Sequence, residues 1–141
     1  MFRYAKALKT AVKAHKGQRD KGGHPYILHP IRVSQGVKSQ DAKVVALLHD
    51  VLEDTDYTLN DLKFLSRKQK RALILLTHDK DVPYMEYIRR IKTNKIAREV
   101  KLSDLKQNAN LTRLNKVTTK DLERAKKYLE AIKILSEPNR K

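Results

Sequence analysis

Four ionisable residues, His49, Asp50, Glu53 and Asp54, fall within six positions of a segment whose other members are apolar: Val44, Val45, Ala46, Leu47, Leu48, Val51 and Leu52. At helical spacing His49 stands one turn from Glu53, and Asp50 one turn from Asp54. Three carboxylates and an imidazole beside an apolar core cost several kcal/mol per unpaired ion, so cations must meet them, and a divalent metal does so economically. The plain alternative is a salt-bridged cluster or a helix end already in solvent. Two more residues are of the right type. His29 sits in Pro25-Tyr26-Ile27-Leu28-His29-Pro30, where prolines on both sides stiffen the backbone. Asp104 interrupts an apolar face formed by Leu102, Leu105 and Leu111, and Asp is a poor residue for a helix interior. Read singly, His29 is a packing histidine and Asp104 an ordinary partner of Lys101 or Lys106. The chain has no Cys, so any metal must use His and carboxylate.

The elements that carry these residues read as helices. From Tyr4 to His15 the residues Tyr4, Ala5, Leu8, Ala11, Val12 and His15 recur at three and four, with Lys6, Lys9 and Lys13 on the other face. Residues 16–30 hold three of the four Gly and two of the four Pro, which predicts a long ordered loop of the kind that often carries function. Pro30 is suited to a first helical turn, so a short helix is expected over 30–37. Residues 41–54 are hydrophobic almost all round, as a core helix is. Thr58 opens a short helix, Ser66 caps one running to about His78, and Pro83 begins another through Tyr84, Tyr87, Ile88 and Ile91. Helices over 94–114 and 119–135 complete the series, the last with Leu122, Ala125, Leu129, Ile132 and Leu135 on one face. No segment alternates with period two. The expected fold is all-α, a single compact domain of seven to eight helices spanning 1–141, with a frayed tail over 136–141.

A length of 141 residues leaves room for one core, and 40% hydrophobic with 34% charged residues is the composition of an ordinary folded domain. The absence of Cys excludes disulfide scaffolds, thiolate zinc sites, iron–sulfur clusters and a cysteine nucleophile. No apolar signal core opens the chain, and no apolar run approaches the roughly 20 residues that span a bilayer, so a soluble, cytoplasmic protein without a membrane partner is expected. Thirty-two Lys and Arg against sixteen Asp and Glu give a net charge of +16, which favours a phosphate-bearing partner. The bland reading of that charge is a highly soluble basic surface.

Taken in order, the segments His15-Lys16-Gly17-Gln18-Arg19, Gly23-His24-Pro25-Tyr26-Ile27-Leu28-His29-Pro30, 46–59 with its Leu48-His49-Asp50, Tyr84 to Ile91, and Val100-Lys101-Leu102-Ser103-Asp104 through Asn108 resemble the HD-domain alarmone hydrolases. That family comprises the hydrolase half of the RelA/SpoT enzymes and small stand-alone relatives, and the resemblance runs from His15 to Asn108. It implies an HD-domain fold in which His29, His49, Asp50 and Asp104 hold one divalent metal, typically Mn2+. By the same resemblance Glu53 and Asp54 orient or deprotonate the attacking water, and Lys21, Tyr26 and Asn108 contact substrate. Arg19 and Lys21 are suited to pyrophosphate oxygens. The activity implied is hydrolysis of the 3′-pyrophosphate of (p)ppGpp to GDP or GTP and pyrophosphate. Where the family carries Arg-Lys-Ser, with the Arg stacked on guanine, this chain has Asp20-Lys21-Gly22, and Arg19 is the neighbouring substitute. That departure and the charge motivate a second expectation: the same site acting on (p)ppApp, the 2′-phosphate of NADPH, or a pyrophosphorylated tRNA 3′ end. The partner is then a pyrophosphate-bearing nucleotide, with tRNA possible. A third reading, from another class, is a basic nucleic-acid-binding module using Lys6, Lys9, Lys13, Lys126, Lys127 and Lys133, though no reader motif accompanies them. His15 is expected to pack beneath the loop, and His24 and His78 to be exposed.

Overall fold

The pattern of apolar residues at three and four resolves into helices in a computed structural model that describes residues 2–110, 114 and 116–138. In chain order they are α1 (Phe2–Ala14), α2 (Leu28–Gln35), α3 (Gln40–Leu48), α4 (Val51–Asp54), a 3-10 turn (Leu59–Leu62), α5 (Arg67–Leu76), α6 (Tyr84–Lys92), α7 (Lys95–Ala109) and α8 (Thr119–Ser136). The only extended pairing among the described residues is an isolated antiparallel bridge between Arg19 and Pro25.

α3 is the axis of the core. Val44, Val45, Ala46, Leu47 and Leu48 are all buried, as a helix apolar on every side must be. It packs on α1, α2, α5 and α7, and α7 in turn packs on α8. One hydrophobic cluster unites these elements, with Val33, Leu62, Leu73, Ile88, Ile91, Val100 and Leu135 among its fully buried members. The helix starts follow the side chains available: Ser39 accepts from the Ala42 N–H at 3.1 Å and Asn94 from that of Ala97 at 2.9 Å. Thr58–Asp61, Ser66–Gln69 and Thr118–Asp121 close reciprocal capping boxes.

Several boundaries differ from the sequence expectation, each for a local reason. The helix expected over 41–54 is broken at His49-Asp50 into α3 and α4. α2 begins at Leu28 rather than Pro30, because the N–H groups of Leu28 and His29 already bond the carbonyls of Pro25 and Tyr26 in a tight turn. Pro30 is then the third helical residue, where a missing N–H costs nothing. α5 ends at Leu76, since His78 leaves the helix to serve another partner. α7 ends at Ala109, and Leu111, assigned to its apolar face, lies outside the described residues, as do residues 139–141 of the expected frayed tail.

Two helix faces are also rotated from their expected aspect. α1 buries Ala7, Ala11 and the following His15, whose small alanines permit close approach to α3, and leaves Ala5 and Val12 exposed. α8 turns Asp121, Ala125, Ala131 and Leu135 inward and leaves Leu122 and Leu129 in solvent, 55% and 58% exposed. The capping box at Thr118 and the ionic partners of Asp121 fix that rotation, outweighing the burial of two leucines.

Candidate active site

The break between α3 and α4 is made by the imidazole it serves. His49 Nδ1–H donates to the Ala46 carbonyl at 2.6 Å, and the His49 backbone N–H reaches the same oxygen at 3.4 Å. Asp50 takes φ −103° and ψ −3°, and its carbonyl accepts from the Asp54 N–H at 2.9 Å to start the next helical turn. Fixing Nδ1 on a carbonyl aims Nε2 into the site, the arrangement by which metal-ligating histidines are usually held.

Three elements deliver donors to that point. His29 from α2, His49 from the end of α3 and Asp104 from α7 each place one ligand atom within 4.8 Å of the others. Asp104 Oδ1 lies 2.8 Å from His29 Nε2 and 3.2 Å from His49 Nε2. Asp50 Oδ2 lies 3.0 Å from His49 Nε2 and 4.0 Å from His29 Nε2, and accepts a short hydrogen bond from the Tyr26 hydroxyl. His29, His49 and Asp104 thus face a common centre, with the Asp50 carboxylate beside it. Such a donor set fits a divalent first-row ion.

Within the cluster the buried charges hold one another. Burial pushes the His49 imidazole down, but the carboxylates of Asp50 and Asp104 outweigh it and hold its pKa well above the usual histidine value. Burial raises the Asp104 carboxyl, yet the Lys101 ammonium 2.9 Å from Oδ2 and the imidazoles keep it well below the carboxylate range. Tyr26 is driven far above the usual tyrosine value, first by burial and then by the Asp50 charge, so its hydroxyl stays a donor.

Glu53 and Asp54 stand one turn along, on α4, and remain partly exposed. Glu53 accepts a short hydrogen bond from the His78 backbone N–H, which is why α5 stops where it does. Burial and then the negative Asp50 raise the pKa of Glu53 against that bond. Asp54 is raised by burial and Asp50. Its carbonyl accepts from Gln18 Nε2 at 3.1 Å, and Gln18 Oε1 in turn accepts from His15 Nδ1 at 2.8 Å. His15 therefore packs beneath the loop as expected, 4.9 Å ring to ring from Tyr26. His24 is exposed, as expected. His78 is not: it stacks on Tyr87 at 4.4 Å, and its Nε2 donates to the Val82 carbonyl at 2.7 Å.

A cavity of about 340 Å³ adjoins this centre, lined by Arg19, Asp20, Lys21, Gly22, Tyr26, Asn108, Asn110, Leu114, Asp121, Arg124 and Tyr128. All four residues expected to contact substrate, Arg19, Lys21, Tyr26 and Asn108, line it together. Tyr26 and Asn108 link it to the cluster, Tyr26 through its hydroxyl bond to Asp50 and Asn108 Nδ2 donating to Asp104 Oδ1 at 3.1 Å. The loop that brings Arg19 and Lys21 here is closed by the bridge at Arg19 and Pro25, with Gly23 at φ +82°, a left-handed value that glycine adopts freely. Asp20 organises that loop: its Oδ1 accepts from the N–H groups of Gly22 and His24, each at 2.9 Å.

Sequence reasoning missed the α8 wall of the cavity. Buried Asp121 accepts from Arg124 and, at 3.5 Å, from Lys21, so one carboxylate sets two cations at the cavity. The signal was the spacing of Asp121, Arg124 and Tyr128 at three and four, obscured by turning Leu122 and Leu129 inward. Lys101 was missed in the same way, as a mere partner of Asp104.

No family model matches the chain. It is 36% identical over 123 residues to the human guanosine-3′,5′-bis(diphosphate) 3′-pyrophosphohydrolase MESH1, covering 77% of this chain and 67% of the human protein. It is 46% identical over 57 residues to the guanosine-3′,5′-bis(diphosphate) 3′-pyrophosphohydrolase of Haemophilus influenzae, covering 38% of this chain and 8% of that one. To the bifunctional (p)ppGpp synthase/hydrolase SpoT of Escherichia coli it is 37% identical over 76 residues, 51% of this chain and 11% of that one. The chain thus spans two thirds of the human relative and a small part of the bacterial ones. The solved structure of a metazoan ortholog of SpoT, described as hydrolysing ppGpp and playing a role in starvation responses, superposes with a TM-score of 0.77. That superposition covers 99% of this chain and 88% of the other at 25% identity.

Proposed function

The chain belongs to the RelA/SpoT family of guanosine-3′,5′-bis(diphosphate) 3′-pyrophosphohydrolases, and we propose on that premise that it hydrolyses the 3′-pyrophosphate of (p)ppGpp, giving GDP or GTP and pyrophosphate. The observation that carries the reading is the convergence of His29, His49 and Asp104, with Asp50 beside them, next to the acidic pair Glu53 and Asp54 at the edge of a cation-lined cavity.

His29, His49, Asp50 and Asp104 are the residues to hold one divalent ion, Mn2+ being the family's usual choice. When bound, such an ion supplies Lewis-acid polarisation of phosphoryl oxygen and loosens the proton of water. The rest falls to the chain's own side chains. Glu53 is anchored through one oxygen by the His78 N–H, which leaves the other to collect a proton. Its raised pKa brings it closer to neutrality, where a general base works best. Asp54, tied to the loop through Gln18, orients the same water. Arg19, Lys21 and Arg124 meet phosphate oxygens by charge-assisted hydrogen bonds, and Asn108 connects them to the metal ligands. Overall one water oxygen bonds to phosphorus, the bond from phosphorus to the 3′-oxygen breaks, and that oxygen leaves with a proton.

The test is release of pyrophosphate from ppGpp, pppGpp, ppApp and pyrophosphorylated tRNA, and of phosphate from NADPH, with and without Mn2+, beside Asp50→Ala. Metal-dependent cleavage of ppGpp and pppGpp that is lost in Asp50→Ala supports the reading. Turnover confined to another member of the panel transfers the site to that substrate.

A further inference from the structure

Lys101 lies one helical turn before Asp104 on α7 and is given no role by the resemblance or by the proposed chemistry. Its Nζ donates to Asp104 Oδ2 at 2.9 Å, while the other oxygen, Oδ1, receives His29, His49 and Asn108 at 2.8, 3.2 and 3.1 Å. The two oxygens of one carboxylate are therefore addressed by different partners. The ammonium is confined: its side chain is 13% exposed and its Nζ stands 5.3 Å from the centre of the Tyr87 ring. Tyr87 is itself fixed by a hydroxyl bond to the Leu76 carbonyl at 2.5 Å. Asp104 is the one carboxylate paired with Lys101 among the described residues.

We propose that Lys101 is a positioning residue of the metal centre, reserving Oδ2 of Asp104 so that this carboxylate offers the ion a single oxygen and leaves its remaining positions to water and substrate phosphate. The inference rests on the reading that His29, His49, Asp50 and Asp104 hold a divalent ion. A carboxylate binds such ions through one oxygen or two. With one donor from each of the four residues, an ion preferring six positions keeps two for water and a phosphoryl oxygen. If Oδ2 were free to turn inward, Asp104 would take one of those two. A bystander role, in which Lys101 merely neutralises a buried charge, makes no demand on which oxygen it holds.

The experiment uses Mn2+ as the probe ion on wild type, Lys101→Met and Lys101→Arg, each first shown to be folded and stoichiometrically loaded. Water-proton relaxation per bound Mn2+ counts the exchanging waters without any substrate. In Lys101→Met the enhancement is expected to fall by about half, one water of two, and kcat for pyrophosphate release by about 10–100-fold, with KM changed far less. Lys101→Arg still offers an N–H to Oδ2 and restores both. Should Lys101→Met not fold, Lys101→Gln, too short to reach Oδ2, carries the same expectation. Unchanged relaxation in the folded variant, or equal loss in the Arg and Met proteins, overturns the proposal. If relaxation falls as expected while wild type cleaves no pyrophosphate-bearing nucleotide, the role of Lys101 stands and the substrate reading fails.

Discussion

Replacing Asp104 by Asn keeps the shape of the side chain and removes the charge on which four donors converge. In the native chain Lys101 Nζ, His29 Nε2, His49 Nε2 and Asn108 Nδ2 all point at that carboxylate, at 2.9, 2.8, 3.2 and 3.1 Å. An amide has one acceptor and one donor end, so its NH2 must face either the ammonium or the imidazoles. Removing one partner of a buried ion pair costs about 3–5 kcal/mol, because the other charge is left without compensation. Some is returned here, since the repulsion between Asp50 and Asp104 also disappears. A net loss of about 3 kcal/mol follows, or roughly 10 °C in Tm for a domain of this size. The assay is thermal unfolding at neutral pH, with and without a divalent ion. Wild type should gain about 2.7 kcal/mol at a hundredfold excess of metal over its Kd, and Asp104→Asn should gain almost none. Adding Lys101→Met to Asp104→Asn removes the orphaned ammonium and should recover about 1–2 kcal/mol of the loss. An Asp104→Asn protein that melts with wild type, or a double variant no more stable than the single, would refute the claim that this carboxylate anchors the centre.

Glu53→Gln should bind metal as wild type does, by calorimetry, while pyrophosphate release falls about 10²–10⁴-fold, the usual weight of a general base. The same variant tests the electrostatics. Glu53 is raised above its ordinary value of 4.5, so between that value and its folded pKa the native state binds more protons than the unfolded chain, and stability falls as pH rises through that window. In metal-free protein Glu53→Gln should flatten this fall, measured as the change in Tm from about pH 4 to about pH 7, and a slope identical to wild type would count against the shift. Arg124→Ala removes a charged donor from the cavity and should raise KM about 10–100-fold with a smaller effect on kcat; an unchanged KM in steady-state assays removes Arg124 from substrate binding. Gly36→Ala places a methyl group against Ser103 Oγ, which donates to the Val33 carbonyl at 2.8 Å. It should cost about 1–3 kcal/mol in urea unfolding, and Ser103→Ala in the same chain should return part of it.

The residues that meet at the centre were legible in the sequence because each is a residue type that its surroundings do not explain. His49 and Asp50 interrupt a helix otherwise apolar on every side, His29 is fenced by prolines, and Asp104 breaks an apolar face. The start of α5 was legible through its Ser66 cap, and the starts of α3, α7 and α8 fell within a residue of the expected ones, where Ser39, Asn94 and Thr118 cap by their own oxygens. The ends were not, because they are set by partners distant in the chain: Glu53 takes the His78 N–H and ends α5, and the Ala46 carbonyl takes the His49 imidazole and breaks α3 from α4. No periodicity encodes either bond. α8 misled for a related reason. Its leucines form a stripe that satisfies the usual rule, yet the buried carboxylate of Asp121, fixed by Thr118, Arg124 and Lys21, turns the neighbouring face inward.

The departure at Asp20 acquires a physical meaning once the loop is seen. A guanidinium at this position would be free to lie against a base, whereas the Asp20 carboxylate is spent on the N–H groups of Gly22 and His24. It shapes the turn that carries Lys21, and Arg19 is likewise engaged, donating to the Gly23 carbonyl at 2.9 Å. At this position the loop carries a group that holds its backbone. What the cavity still offers is a small excess of positive charge, Arg19, Lys21 and Arg124 against Asp20 and Asp121, together with two aromatic rings, Tyr26 and Tyr128. Charge of this kind recognises phosphates whatever base they carry, and an aromatic face accepts any base that stacks on it. On the proposed reading, selection is therefore expected to rest on the spacing between the anionic groups of the substrate, one at the His29, His49, Asp50 and Asp104 cluster and another at the Lys21–Asp121–Arg124 triad, more than on the hydrogen-bonding edge of the base.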